Sequence, residues 1–150
     1  ESPWIRSQVR LVSRIADVYS MNNTFMALPQ VNRKTRVDAV RDLLVGQVTR
    51  GMGALEQHIG QGDYAVGGNL TRADCTLVPA LFLCERTVPM LDVENPILAT
   101  THVAAYWDKI QSNEYAAKVL DEMDQGLRER QDGTERKRIE AAIAKQKAQL

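Results

Sequence analysis

The chain has 150 residues, of which 44% are hydrophobic and 25% charged, a composition typical of one soluble globular domain. Nineteen Lys and Arg residues balance nineteen Asp and Glu residues, so no overall field attracts nucleic acid or an anionic membrane. No apolar run reaches the roughly eighteen residues of a membrane span. We therefore expect a cytoplasmic protein with no membrane and no nucleic-acid partner.

The first predicted helix begins at Ser2-Pro3, because serine caps a helix and proline fits its first turn. We expect it to end near Leu28, before Pro29. Apolar residues recur along it at spacings of three and four, which predicts one buried face. They are Ile5, Val9, Val12, Ala16 and Tyr19. Trp4 has no visible element before it, which indicates a contact with something that this chain lacks.

A second helix is predicted from about Asn32 to Ile59, because its apolar side chains keep the same spacing. Gly46, Gly51 and Gly53 lie within this stripe, and each lowers helix propensity by up to about 1 kcal/mol relative to alanine. Glycines inside so regular a pattern favour close packing against another helix or subunit.

A tight turn at Gly67-Gly68 precedes a third helix with a strong start signal. Thr71 and Asp74 have the spacing of a capping box, and Leu70 and Cys75 have that of a hydrophobic staple. The helix that follows has no continuous polar stripe, so we predict that it lies in the middle of a bundle.

The two cysteines are predicted to lie in this third helix. Cys75 and Cys84 are nine residues apart, about 13.5 Å along the helix axis, which is too far for a disulfide. Their simplest role is that of small buried hydrophobic side chains in a reducing compartment, and the alternative is a redox-reactive thiol.

The remainder of the chain is also predicted to be helical. Asn95-Pro96 starts one helix and Glu114 starts another, which ends near Arg128. The charged tail beyond it is interpreted either as a solvated, frayed helix or as a segment that docks on a missing partner. The fold class is therefore all-α, a bundle of about five main helices followed by a charged, helix-compatible tail.

Few residues offer catalytic chemistry. His58 and His102 are the only histidines; they lie on different predicted helices without a companion at metal-ligand spacing, so we interpret both as surface or packing residues. No phosphate-binding glycine loop and no nucleophile elbow is present. We therefore predict no catalytic residue, no metal site and no cofactor bound by this chain.

The order of the predicted elements and one motif indicate a protein family. After two long helices the motif reads Tyr64-x-x-Gly67-x-x-Leu70-Thr71-x-Ala73-Asp74-x-x-Leu77-x-Pro79. Pro96 and Tyr106-Trp107 follow it. This order closely resembles the all-helical C-terminal domain of the cytosolic glutathione S-transferases, in which the capping box and staple fix the buried central helix.

The resemblance covers about residues 1–127, which we treat as the helical domain. Residues 128–150, the charged tail, have no equivalent in it. The family usually has an Arg-Pro pair near the start of its penultimate helix, where this chain has Asn113-Glu114.

The resemblance implies that a second domain, which this chain lacks, carries out part of the function. In the family, a thioredoxin-like N-terminal domain binds the co-substrate glutathione and supplies the residue that activates its thiol. The helical domain lines the pocket for a hydrophobic, electrophilic small molecule and makes much of the homodimer interface. Because Glu1 is not an initiator methionine, we expect the chain to be the C-terminal half of a longer enzyme and to be inactive alone.

The first helix carries the side chains that we expect to bind the electrophile, chosen because they share one face by helical spacing. They are Ile15, Tyr19, Asn22, Asn23 and Met26. Tyr19 is the best of the five, since its hydroxyl could donate a hydrogen bond to a bound product. The alternative for each is ordinary packing.

Two further functions stay open. Domains that resemble this one also serve as non-catalytic interaction modules in translation factors and tRNA-synthetase assemblies, and the charged tail favours that reading. A ligand-binding carrier would use the same pocket without turnover.

Overall fold

The computed structural model describes residues 2–147; Glu1 and residues 148–150, the end of the predicted tail, lie outside that range. The predicted all-α fold is confirmed, because the described residues form helices, turns and loops without a β-strand. Seven α-helices follow one another within residues 2–147: α1 Pro3–Ile15, α2 Asn22–Ala27, α3 Asp38–His58, α4 Arg72–Thr87, α5 His102–Ile110, α6 Glu114–Gln131 and α7 Thr134–Lys147. Within residues 2–147, none of these helices has the length and apolarity needed to cross a membrane.

The first predicted helix is a rod made of several segments. Ser2 caps α1 by accepting a hydrogen bond of 3.2 Å from the amide of Ile5. The α-helical pattern stops at Ile15, and a π-helical turn, Ala16–Met21, joins α1 to α2. A short 3-10 turn that includes Pro29 ends the rod. The sequence pattern gave no sign of the π-turn, which changes the direction of every later side chain on the rod.

The second helix begins six residues later than predicted, at Asp38 instead of Asn32. Arg36 explains the difference, because its guanidinium donates to the carbonyl of Gln30 at 2.6 Å and to Asp92 Oδ2 at 2.7 Å. The Arg36 side chain is only 7% exposed. These contacts hold the segment before Asp38 as a loop, and they involve a residue 56 positions away that helical periodicity does not detect.

Helix α4 lies at the centre of the bundle, as predicted. Ten of its sixteen residues are buried, and it packs against α1, the π-turn, α2, α5 and α6. The helix continues through Pro79 without a break. The prediction of two buried cysteines is right for Cys84 and wrong for Cys75, which is exposed. Because α4 is apolar on almost every side, its sequence did not indicate which face meets solvent.

The predicted helix from Asn95 is divided into two. Asn95 does act as a cap, accepting from the amide of Ile97 at 3.1 Å, but the helix it starts is a single 3-10 turn. Helix α5 begins only at His102. Its cap comes from α3, because the Glu56 carboxylate accepts hydrogen bonds of 2.9–3.0 Å from three successive amides at residues 101–103.

We expect Glu56→Ala to lower the free energy of unfolding by about 1–2 kcal/mol, the usual effect of losing a helix cap. Glu56→Gln keeps one oxygen acceptor and should lose less. Thermal melting or urea unfolding checks both variants. Gln57→Ala, at the exposed neighbouring position, is the control and should stay within about 0.5 kcal/mol of the parent.

The same site predicts a dependence on pH. Burial favours the neutral form of Glu56, but the amide hydrogen bonds from His102, Val103 and Thr101 outweigh it and lower the pKa of the carboxyl. The stabilisation is therefore complete above the unfolded-state pKa of Glu56 and disappears as pH falls through the folded-state pKa. A penalty for Glu56→Ala that does not shrink in acid would contradict this cap.

Helix α7 projects from the end of α6. Two ion pairs join the helices, Arg130 with Glu135 and Arg138 with Glu129. Every residue of α7 after Glu135 is exposed, and its Ile139 and Ile143 are 51% and 47% exposed. Apart from the turn at Asp132-Gly133, the charged tail is therefore helical through Lys147, and its apolar pair, Ile139 and Ile143, is left half-exposed.

Candidate functional site

The polar residues of the capped turn are used for structure. Asp74 is fully buried and its carboxylate accepts four hydrogen bonds. Oδ1 accepts from the Ala65 amide at 2.8 Å and from the Tyr106 hydroxyl at 3.2 Å. Oδ2 accepts from the Thr71 amide at 2.7 Å and from the Thr71 hydroxyl at 3.0 Å. One carboxylate therefore joins the glycine turn, the start of α4 and the middle of α5.

The remaining members of this motif lie around Asp74. The Thr71 hydroxyl accepts from the amide of Ala73 at 3.2 Å. Leu70 is 40% exposed, and Cys75 is exposed as well, so the pair predicted as a staple lies at the surface. Burial, followed by the charge of Asp74, raises the pKa of Tyr106 well above its ordinary value. Tyr106 is therefore a neutral hydrogen-bond donor at physiological pH.

The five predicted electrophile-binding residues do not form one exposed face. Ile15 is 8% exposed and belongs to the core, and Tyr19 is half-buried against that core. Asn22 is exposed, Asn23 is half-buried, and Met26 is 56% exposed. The π-turn lies between Ile15 and Asn22, so the α-helical spacing that relates these residues in sequence does not hold across it.

The side chain of Asn23 is hydrogen-bonded to the π-turn. Its side-chain amide donates to the carbonyl of Val18 at 2.8 Å and to that of Tyr19 at 2.9 Å, and both carbonyls belong to the π-turn. A short polar side chain often bonds to backbone in this way. The carboxamide nitrogen of Asn23 therefore points at its own helix.

Gly51 lets α3 approach the π-turn closely. A Cβ atom built on Gly51 would lie 2.6 Å from the Cβ of Tyr19, whereas one on Gly46 or Gly53 would meet nothing within 4 Å. Close packing was predicted for all three glycines. Of these three glycines, only Gly51 packs closely against another element. This contact fixes the depth of Tyr19 against α3.

Four large apolar side chains along the first rod are exposed. Trp4, Leu11, Val18 and Phe25 are 69%, 38%, 40% and 52% exposed, and they follow one another at intervals of seven residues. Of these four, the sequence indicated only Trp4, from its place at the start of the chain, because the apolar spacing marks the inward face of the helix. The interval of seven was a signal that could have revealed Leu11, since residues seven apart lie nearly in line on an α-helix. Val18 and Phe25 lie in and beyond the π-turn, where that register does not hold.

Helix α3 adds a second uncovered apolar surface. Val37, just before the helix, and Val40 and Leu43 within it are 53%, 39% and 62% exposed, and the next turn carries the open Gly46. Residues three apart lie on one side of a helix. Exposed apolar groups arranged this way are typical of surfaces that another protein element covers.

The described residues hold few groups suited to catalysis. Within residues 2–147, no group of three or more His, Cys, Asp and Glu side chains could hold a metal ion. His102 contacts Glu56 of the helix cap, with Nδ1 3.2 Å from its carbonyl oxygen. Burial raises the pKa of the Cys84 thiol to about 12, so this cysteine is protonated at neutral pH.

Comparison with known proteins identifies the family. A family model described as "Glutathione S-transferase, C-terminal domain" matches residues 15–114. No curated protein and no solved structure gives a significant match to the chain. The matched region runs from the end of α1 to the start of α6 and includes the capped helix α4. The chain therefore belongs to the glutathione S-transferase C-terminal domain family.

Proposed function

We propose that this chain is the electrophile-binding and dimerisation half of a glutathione S-transferase, and that a thioredoxin-like N-terminal domain binds glutathione and activates its thiol. The observation that supports this most is the uncovered apolar surface along the first rod of a domain of this family. These apolar side chains are 38–69% exposed, and covering them with another element is energetically favourable.

The electrophile would lie against the part of the rod that follows the π-turn. Met26 supplies an adaptable apolar side chain at 56% exposure, and Asn22 supplies an exposed carboxamide. Tyr19 stands at the inner edge of this surface. Ile15 supports it from the core, and Asn23 supports it through the backbone. This surface suits a hydrophobic molecule with one or two polar substituents.

In the reaction, the helical half would orient the electrophile. The glutathione thiolate attacks an electrophilic carbon, a C–S bond forms, and the leaving group departs with its electron pair. The contribution of this chain is to hold that carbon within reach of the sulfur, which turns a bimolecular encounter into a positioned one. Glutathione is the co-substrate, and no catalytic residue of this chain is proposed.

The exposed surfaces of α1 and α3 are proposed to bind the missing domain and a second copy of the chain. Trp4 and Leu11 on α1 and Val40 and Leu43 on α3 would be covered in such a homodimer. The two free cysteines fit a reducing compartment, and we propose that the protein is cytoplasmic.

We expect the isolated chain to conjugate no glutathione, and the two-domain protein to conjugate it to an aryl halide. In the two-domain protein, Met26→Lys should raise KM for the aryl halide about tenfold or more, the effect of losing about 1.4 kcal/mol of binding. KM for glutathione should not change. Steady-state kinetics with each substrate varied in turn checks this prediction.

Met90→Lys is the matched control, because Met90 is 51% exposed on the 3-10 turn after α4. Its kinetics should match those of the parent enzyme. Equal effects of the two substitutions, or turnover by the isolated chain, would contradict the proposal.

A second candidate is a non-catalytic interaction module, and the projecting helix α7 favours it. Its exposed Ile139 and Ile143 lie one turn apart and could serve as anchors for a partner protein. A two-domain protein that conjugates no glutathione, yet loses a defined protein partner on Ile139→Lys substitution, would favour this function.

A further inference from the structure

The π-turn decides which side chains the second half of the rod presents to solvent. In an unbroken α-helix, Ile15, Tyr19 and Met26 would lie on one face, since they are four and seven residues apart. Ile15 is nevertheless 8% exposed and Met26 56% exposed. A π-turn contains one more residue than an α-turn, so α2 is rotated by about 100° relative to α1.

This rotation also explains which residues of α2 are buried. Thr24 and Ala27 are 0% and 2% exposed and point inward. In the α-helical register, Asn23 and Met26 would take the inward positions instead. The π-turn thus places Thr24 and Ala27 in the core instead of Asn23 and Met26. It leaves Met26 at the surface.

One buried polar group in the π-turn lacks a hydrogen-bond partner. The Ser20 hydroxyl is fully buried and has no hydrogen-bond partner among residues 2–147. On the same rod, the Ser13 and Thr24 hydroxyls each donate to the carbonyl four residues earlier, at 2.8 and 2.7 Å. A buried hydroxyl without a partner costs free energy, so other contacts must stabilise the π-turn.

The two hydrogen bonds of Asn23 supply such contacts, at 2.8 Å to Val18 and 2.9 Å to Tyr19. We propose that Asn23 is a positioning residue: its carboxamide fixes the π-turn and so sets the rotation of α2, which directs Asn22 and Met26 outward. The inference rests on the proposed function, because this outward surface is the one assigned to the electrophile. Asn23 acts through the backbone and does not touch the substrate.

Methionine oxidation of the full 150-residue chain tests this role directly. Mild hydrogen peroxide followed by peptide mass spectrometry gives the rate of sulfoxide formation at each methionine. Met26 and Met90 have similar exposure, 56% and 51%, whereas Met52 is 1% exposed. The ratio of the Met26 rate to the Met90 rate therefore reports the rotation of α2, and protection of Met52 reports an intact core.

In Asn23→Ala, α2 should rotate toward the α-helical register, and the ratio should fall about threefold or more, since sulfoxide formation follows exposure. Asn23→Asp has nearly the same shape but no donor, so it should behave like Asn23→Ala. Asn23→Ser keeps a hydroxyl that can donate to the carbonyl of Tyr19 and should give an intermediate ratio. Asn22→Ala, the neighbouring exposed residue, should leave the ratio unchanged.

An unchanged ratio in Asn23→Ala and Asn23→Asp, with Met52 still protected, would overturn the role of Asn23. If either variant unfolds and exposes Met52, Asn23→Ser decides: a lowered ratio in a folded variant supports the role, and a parental ratio overturns it. Conjugation is a separate readout. A two-domain protein without conjugating activity would remove the proposed function while leaving the oxidation result in force.

Discussion

Asp74→Ala should be the most destabilising single substitution in the motif that starts α4, lowering the free energy of unfolding by about 3 kcal/mol or more. The substitution removes the acceptor for the Ala65 amide, the Thr71 amide and the Tyr106 hydroxyl. Buried donors left without a partner cost about 1–3 kcal/mol each. Equilibrium unfolding in urea, followed by circular dichroism, measures the change.

Three companion variants separate the contributions to this effect. Thr71→Ala removes one side of the cap and should cost about 1 kcal/mol. Tyr106→Phe removes one hydrogen bond, also worth about 1 kcal/mol, and Asp74→Asn should fall between the extremes. If Asp74→Ala cost no more than Thr71→Ala, the carboxylate would act only as a local helix cap. Its hydrogen bond to Tyr106 of α5 would then contribute nothing to stability.

Gly51→Ala should destabilise the protein, although alanine is the better helix former. The new Cβ would lie 2.6 Å from the Cβ of Tyr19, which is attached directly to the backbone and cannot swing away. Overpacking of this kind costs about 1–3 kcal/mol. The free energy of unfolding from urea titration should therefore fall.

Gly53→Ala is the matched control on the same helix, because nothing lies within 4 Å of its new Cβ. It should stabilise the protein by up to about 1 kcal/mol through helix propensity alone. The two substitutions are therefore expected to act in opposite directions. Stabilisation by both would show that the π-turn does not pack against α3 as closely as the geometry indicates.

Local signals in the sequence predicted the centre of this fold well. The start of α4 depends on residues only three positions apart, Thr71 and Asp74, and its apolar composition is sufficient to place it inside the bundle. Ser2 and Asn95 likewise form caps at the predicted positions. The family resemblance rested on this same local pattern.

The errors arose where distant contacts override local preference. Arg36 delays the start of α3 by binding Asp92, and Glu56 starts α5 from another helix. Helical spacing in the sequence does not reveal either of these distant partners. The exposure of Cys75 was missed for a different reason, since a helix that is apolar on nearly every side does not indicate its solvent-facing edge.

The candidate site was the least predictable part, because its residues lie on both sides of the π-turn. Ile15 precedes the turn, whereas Asn22, Asn23 and Met26 follow it. The turn depends on a side-chain bond from Asn23 and on a close approach to Gly51. Helical periodicity assumes a constant rotation per residue, and a single wide turn is enough to make it fail.

The most direct test of the proposed function is to express the complete gene product, determine the sequence that precedes Glu1, and assay it with glutathione and an aryl halide. We predict that a thioredoxin-like domain precedes Glu1 and that the complete protein forms the glutathione thioether, whereas residues 1–150 alone do not. A complete protein that has no such domain, or that has one and forms no thioether, would contradict the assignment of this chain as the electrophile-binding half of a transferase.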